Sequence, residues 1–317
     1  MQFEVTILGS NSAIPAFNRY PSAQILNYHG NHFLIDCGEG TQFRMNTFGV
    51  KRGRLDNIFI SHLHGDHYFG LIGLLTSFNL NWREHLLNIY GPPELEDIIN
   101  VHFRHSQTKL RYAIHFHPLH ADEPRIVYDD GMLSVETIIL EHRLPTTGFL
   151  FREKKNLRKI IPEKITEHNI PYEAINGIKR GGDFTTAAGT IIPNSELTLS
   201  PPKPSSYAYC SDTIYTESYL EQIKGVDLLY HEATFIEEHA FRAAETFHCT
   251  TKEAARIAQK AGAAKLLIGH FSARYEDLDF LLNESREVFS ETYIAEEGKT
   301  FSVDHHAGVV SKHPVQH

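Results

Sequence analysis

The residues that most invite chemistry are Ser61-His62-Leu63-His64-Gly65-Asp66-His67. Three imidazoles and one carboxylate stand within the six residues from His62 to His67. Imidazole nitrogen and carboxylate oxygen are the donors of a zinc site built without thiolates. The stretch follows a short apolar run at 57–61 and precedes a helix-like segment at 66–80, rich in Leu, Ile and Phe. A loop so placed turns several side chains toward one point above a sheet edge. His62 and His64 can bind one metal while Asp66 and His67 face a second.

A hydrolytic metal site needs further donors, and three strand ends can supply them. His142 closes an expected strand at 133–140, Asp212 follows one at 206–210, and His270 follows one at 265–269. The carboxyl ends of strands are where sheet-based sites gather. Singly, each would read as a loop residue, and Asp212 as a helix cap. Jointly, their placement points to one site. His115, His117 and His120 form a decoy: strand alternation sets Ile114 and Phe116 on one face and His115 and His117 on the other, with no acid in the run.

The elements that must position these donors follow from periodicity. Strands are expected at 3–8, at 25–37 as a pair around Tyr28-His29-Gly30-Asn31, and at 86–90, 113–118, 133–140 and 147–151. The second half alternates strand 206–210, helix 215–224, strand 226–230, helix 250–261, strand 265–269 and helix 277–289. Thr250-Thr251-Lys252-Glu253 has the form of a capping box. Many strands in each half with helices between them predict an α/β fold of two sheets covered by helices, an αββα sandwich.

Composition bounds the rest. The 317 residues carry 30 Lys+Arg against 39 Asp+Glu, a net charge of -9, with 41% hydrophobic and 22% charged residues, which argues against disorder. Three cysteines are too few for a disulfide framework and suit a reducing compartment. The N-terminal residues lack the cationic start and apolar run of a signal peptide, and no stretch approaches a membrane span, so a cytoplasmic location is expected. One segment departs from the acidic whole. From Phe151 to Gly181 eight basic residues stand against four acidic ones, so this stretch is +4 and the remainder -13. It breaks the strand rhythm and reads as an insertion.

The loop from His62 to His67 resembles the signature of the metallo-β-lactamase superfamily. Asp36-Cys37-Gly38-Glu39-Gly40-Thr41-Gln42, His231-Glu232-Ala233-Thr234 and Gly269-His270-Phe271-Ser272-Ala273-Arg274-Tyr275 narrow the resemblance. Together they are similar to ribonuclease Z, the short-form tRNA 3′-processing endonucleases, over nearly the whole chain. The resemblance implies one metallo-β-lactamase-like domain at 1–303, a basic arm inserted at about 151–181, and a flexible tail at 304–317. It implies two zinc ions per subunit, one held by His62, His64 and His142, the other by Asp66, His67 and His270, with Asp212 bridging them. Asp66 then doubles as general base, and His248, oriented by Glu232, protonates the leaving ribose 3′-oxygen. Asp36 supports a ligand imidazole or simply closes a turn, and His231 is structural or supporting.

The same resemblance implies precursor tRNA as substrate, a 3′ trailer removed by phosphodiester hydrolysis, and a 3′-hydroxyl left on the tRNA. It also implies a homodimer in which the arm of one subunit serves the active site of the other. A basic arm would supply the phosphate affinity that the acidic remainder lacks. Two rival functions remain at this level. A superfamily phosphodiesterase or related hydrolase acting on small substrates needs no arm. A non-catalytic RNA-binding homologue should have lost ligands, yet all seven positions are present.

Overall fold

A computed structural model describes residues 3–154, 156–201 and 203–303. The tail expected at 304–317 lies outside these residues. The described residues divide into two compact units, one within 3–128, 135–151 and 205–303, the other within 129–134 and 152–204.

The alternation read at the N-terminus forms the strand Phe3–Gly9, with Phe3, Val5 and Ile7 buried. It lies in a seven-stranded sheet whose spatial order is Thr300–Ser302, Phe3–Gly9, Ala23–Tyr28, Asn31–Ile35, Leu55–Phe59, Leu87–Gly91, Ile114–Pro118. The last four of these strands run parallel, so their carboxyl ends share one rim. Asp36 and the 61–67 loop emerge there. A second seven-stranded sheet has the order Thr292–Ile294, Leu266–Gly269, Leu228–Glu232, Ser206–Cys210, Thr146–Glu153, Leu133–Leu140, Ile126–Asp129. Its first four strands are also parallel and deliver Asp212, Glu232 and His270 from their carboxyl ends.

The sheets face each other across a layer of buried aromatic rings. Phe59 lies 5.2 Å from Phe149 and 5.6 Å from Phe151, and Phe33 lies 6.0 Å from Phe151. Outside the first sheet the helices Thr41–Thr47, Leu71–Leu80 and Glu94–His105 bury Met45, Leu74 and Ile99. Outside the second, Thr251–Ala261 and Asp279–Arg286 bury Ile257 and Leu281. The architecture is the αββα sandwich expected from the strand rhythm. Thr250 and Glu253 form the capping box in full.

Three local expectations are corrected. The helix read at 66–80 is two, Gly65–Tyr68 and Leu71–Leu80. Gly70 docks on the turn after Asn31–Ile35, its N–H donating to the Cys37 carbonyl at 2.9 Å, and a Cβ there would meet the Gly38 carbonyl oxygen at 2.2 Å. The helix read at 215–224 is a series of turns, with Leu220 N–H on the Glu217 carbonyl and Gln222 N–H on the Tyr219 carbonyl, three residues back in each case. The strand read at 226–230 runs from Leu228 to Glu232, because the Asp227 carboxylate instead accepts from Ser206 N–H at 2.7 Å. The helix Glu94–His105 was not expected, although Leu95, Ile99 and Phe103 have helical spacing.

The second unit has its own small core of Ile170, Ile178 and Leu197, around the helices Pro162–Glu167 and Tyr172–Lys179. It contains most of the basic stretch at 151–181 and continues to Pro204.

Phe59 is fully buried between the sheets. Phe59→Ala is expected to cost about 3–5 kcal/mol of stability, measured by denaturant unfolding. A loss below about 1 kcal/mol would mean the aromatic layer does not hold the sheets together.

Candidate metal centre

The 61–67 loop leaves the strand Leu55–Phe59 and enters the short helix Gly65–Tyr68, with His64 extended at its start. Asp36 and His270, each just beyond a strand, have φ of 55° and 59°. Left-handed backbone at non-glycine residues turns the chain abruptly and is tolerated where the surroundings enforce it.

These turns bring all seven expected donors together in two groups. In the first, His62 Nε2 lies 2.9 Å from His64 Nδ1, and His142 Nε2 lies 3.2 Å from that same atom. In the second, Asp66 Oδ2 lies 3.6 Å from His67 Nε2 and 3.4 Å from His270 Nε2. Asp212 stands between them with its oxygens divided. Oδ2 is 3.6 Å from His62 Nε2 and 3.7 Å from His142 Nε2. Oδ1 is 3.2 Å from both His67 Nε2 and His270 Nε2.

The outer ring nitrogens explain why the inner ones are available. His142 Nδ1 donates to the Phe247 carbonyl at 2.9 Å, and His67 Nδ1 donates to Asp36 Oδ2 at 2.8 Å. Thr234 Oγ1 gives its own proton to Glu232 Oε2 at 2.7 Å, so it accepts from His270 Nδ1 at 2.9 Å. Ser61 Oγ likewise donates to Asp36 Oδ2 at 2.9 Å and accepts from His62 Nδ1 at 3.0 Å. With each Nδ1 committed outward, Nε2 of these four histidines faces inward, where it can offer a lone pair to a cation. Nε2 of His67 and His270 are buried with no hydrogen bond. Buried lone pairs left unpaired beside a carboxylate are costly, and a cation removes that cost. The residues therefore fit one metal in each group, with Asp212 able to touch both.

The electrostatics divide the groups: burial works against a charge on His67, but Asp212, Asp66 and Asp36 raise it well above the ordinary histidine range, so a metal there must displace its proton. Burial pushes His62 well down and His142 down to about 4, so both are neutral donors. Burial works against an ionised Asp212, yet the surrounding imidazoles of His270, His67 and His62 hold its carboxyl well below the usual range. All three cysteines are free and buried. Burial drives the Cys37 thiol up to about 12, and no thiol is among the donors.

Asp36 acts as a tie across the sandwich. Its Oδ2 also accepts from Tyr209 OH at 2.6 Å, and its Oδ1 accepts from Ser61 N–H at 2.8 Å. Tyr209 lies on the second sheet, and His67 extends from the first. Asp36 thus accepts from the imidazole of His67, one of the expected donors. His231 is wholly buried, with Nε2 against Tyr219 OH at 2.8 Å and Nδ1 donating to the Glu232 carbonyl at 2.7 Å, and it lies outside the donor cluster.

His248 Nδ1 donates to Glu232 Oε1 at 2.8 Å. Burial opposes its charge, but the carboxylates of Glu232, Asp212 and Asp66 raise its pKa to about 9. Glu232 is itself fixed by Thr213 N–H and Thr234 N–H, each at 3.1 Å. Thr234, Tyr209 and the backbone N–H of Ala13, 2.7 Å from Asp66 Oδ2, were not singled out in the sequence. Only Thr234 carried a signal there, as the last residue of His231-Glu232-Ala233-Thr234. A cavity of about 640 Å³ opens above the cluster, lined by Asp66, Asp212, His248 and His270.

Comparison with known proteins places this geometry among relatives. A family model described as anti-Pycsar protein Apyc1 matches residues 3–160. Ribonuclease Z of Bacteroides thetaiotaomicron is 44% identical over 305 residues, covering 96% of each chain. Among solved structures, the short form of human tRNase Z superposes with a TM-score of 0.71 at 28% identity, covering 95% of this chain and 99% of that one. A metallo-β-lactamase fold protein of Bacillus subtilis gives a TM-score of 0.65 at 21% identity, covering 94% and 98%.

Asp36→Asn keeps the size and the left-handed backbone but removes an oxygen that accepts three protons. Metal affinity is expected to fall about 10- to 100-fold, read by chelator competition. Unchanged affinity would mean the His67–Asp36 bond does not tune the site.

Proposed function

The chain belongs to the ribonuclease Z family, and from that premise and the geometry of the cluster we infer how it acts. It is a hydrolytic endoribonuclease of the metallo-β-lactamase fold that processes the 3′ end of tRNA. The observation that carries the mechanism is the division of Asp212, with one oxygen toward each donor group. We assign His62, His64 and His142 to one zinc ion, Asp66, His67 and His270 to a second, and Asp212 to both.

Metal bound there would lower the pKa of a water and offset phosphate charge. The chain's own residues do the remainder. Asp66, held by Ala13 N–H, takes the proton of the attacking water at its carboxylate. As the water oxygen bonds to phosphorus, the bond to the ribose 3′-oxygen breaks. His248, with Nδ1 committed to Glu232, delivers the proton on Nε2 to that oxygen. The tRNA keeps a 3′-hydroxyl and the trailer keeps the phosphate. A raised pKa keeps His248 charged near neutrality, as an acid requires.

The second unit supplies the grip on tRNA. It holds a cavity of about 470 Å³ lined in part by Arg158, Lys179 and Arg180, a concave cationic surface suited to phosphate. In keeping with the family resemblance, this unit serves the active site of a partner subunit in a homodimer. Free, buried cysteines accord with a cytoplasmic setting. No helix among the described residues is long and apolar enough to cross a membrane.

Incubation with a 3′-extended precursor tRNA is expected to release the trailer, and a chelator should abolish release. Cleavage of a small phosphodiester but never of precursor tRNA would reverse the substrate assignment. His248→Ala should lower the single-turnover rate by about 100- to 10,000-fold with zinc retained. A rate near wild type would remove His248 as the acid. Deleting 152–180 should abolish precursor cleavage and spare a small diester, whereas equal loss of both activities would indicate misfolding.

A further inference from the structure

The two walls of the catalytic cavity differ in chemistry. One is contributed by segments that follow strands of the second sheet and carries Arg143, Arg274, His248 and, on the helix Ala240–Thr246, Arg242. The other is built from loops of the first sheet and carries Ile14 and Phe69 beside Asp66. Phe69 is 63% exposed and Ile14 58% exposed, although both line a cavity whose floor is charged. An exposed ring in the lining of a cavity offers an apolar face to whatever enters it.

The ring is also held in position. A Cβ on Gly65 would sit 2.2 Å from Phe69 Cε2, so the absent side chain inside His64-Gly65-Asp66 makes the seat. Tyr68 supports it edge-on, with centroids 5.1 Å apart. A phenyl ring is thereby fixed two residues beyond His67 and three beyond Asp66.

Which part of an RNA meets this wall follows from the leaving group, and the argument rests on the mechanism above. His248 protonates the 3′-oxygen of the last tRNA nucleotide, so that nucleotide lies toward the wall of the second sheet. The strand then passes through the scissile phosphate to the first trailer nucleotide, toward the wall of the first sheet. We propose that Phe69 is a stacking platform for the base of the first trailer nucleotide. A π-face accepts any base, so this contact positions the trailer without selecting its sequence.

The test pairs a protein change with a substrate change. Precursor tRNA carrying a normal or an abasic first trailer nucleotide is cleaved by wild type, Phe69→Ala and Phe69→Trp, with kcat and KM measured and zinc content checked. Wild type should favour the normal substrate roughly 5- to 100-fold in kcat/KM, the range expected of one base stacked on an aromatic ring. Phe69→Ala should lose that preference by slowing only the normal substrate, and Phe69→Trp should keep it. Equal slowing of both substrates by Phe69→Ala would mark a structural role and overturn the proposal. So would a wild-type enzyme indifferent to the missing base. A wild type that cleaves neither precursor would overturn the assignment of substrate itself.

Discussion

The structure is organised around one electrostatic problem. Two carboxylates and the inward lone pairs of five imidazoles are gathered at one point and largely shielded from water. The attraction between imidazoles and carboxylates does not by itself fix how the rings are turned. They are held by outward hydrogen bonds, each committing an Nδ1 proton to Ser61, Asp36, Thr234 or the Phe247 carbonyl. The inner faces are thereby left to a cation, and Asp212, with one oxygen for each group, sets how two cations would share the site.

That arrangement explains why the fold must be a sandwich of two sheets whose parallel strands end at one rim. Donors His62 to His67 come from the first sheet, and His142, Asp212 and His270 come from the second. Neither sheet has a complete site. The Tyr209–Asp36–His67 chain links the two at the level of the donors, and the aromatic layer of Phe33, Phe59, Phe149 and Phe151 fixes their spacing below it. Glu232 plays a parallel part on the second sheet, orienting His248 directly and His270 through Thr234.

What was legible in the sequence was what is local. Four donors in six residues announce themselves, and strand alternation located His142, Asp212 and His270 at strand ends. Five of the 21 histidines are proposed donors, so the count alone overstated the signal. Other features depend on contacts distant in sequence and carry no local mark. The break at Gly70 comes from the turn at Cys37-Gly38, some thirty residues earlier. At 215–224 the chain forms turns instead, in a segment whose composition reads as helical. Tyr209 looked like an ordinary strand residue until its hydroxyl was found on Asp36. The exposure of Phe69 is equally invisible, because the sequence reads as an aromatic residue inside a helix at 66–80 and not as an open face above a charged floor. The amphipathic helix Glu94–His105 was legible from Leu95, Ile99 and Phe103, and was obscured by the Gly91-Pro92-Pro93 turn before it.

The central claim is that one bridging carboxylate organises two metal sites into a single nuclease centre. It is tested most directly by titrating zinc into metal-free protein while trailer release from precursor tRNA is followed. The account predicts that activity rises to saturation at two equivalents per chain. Saturation at one equivalent, or trailer release from the metal-free protein, would contradict it.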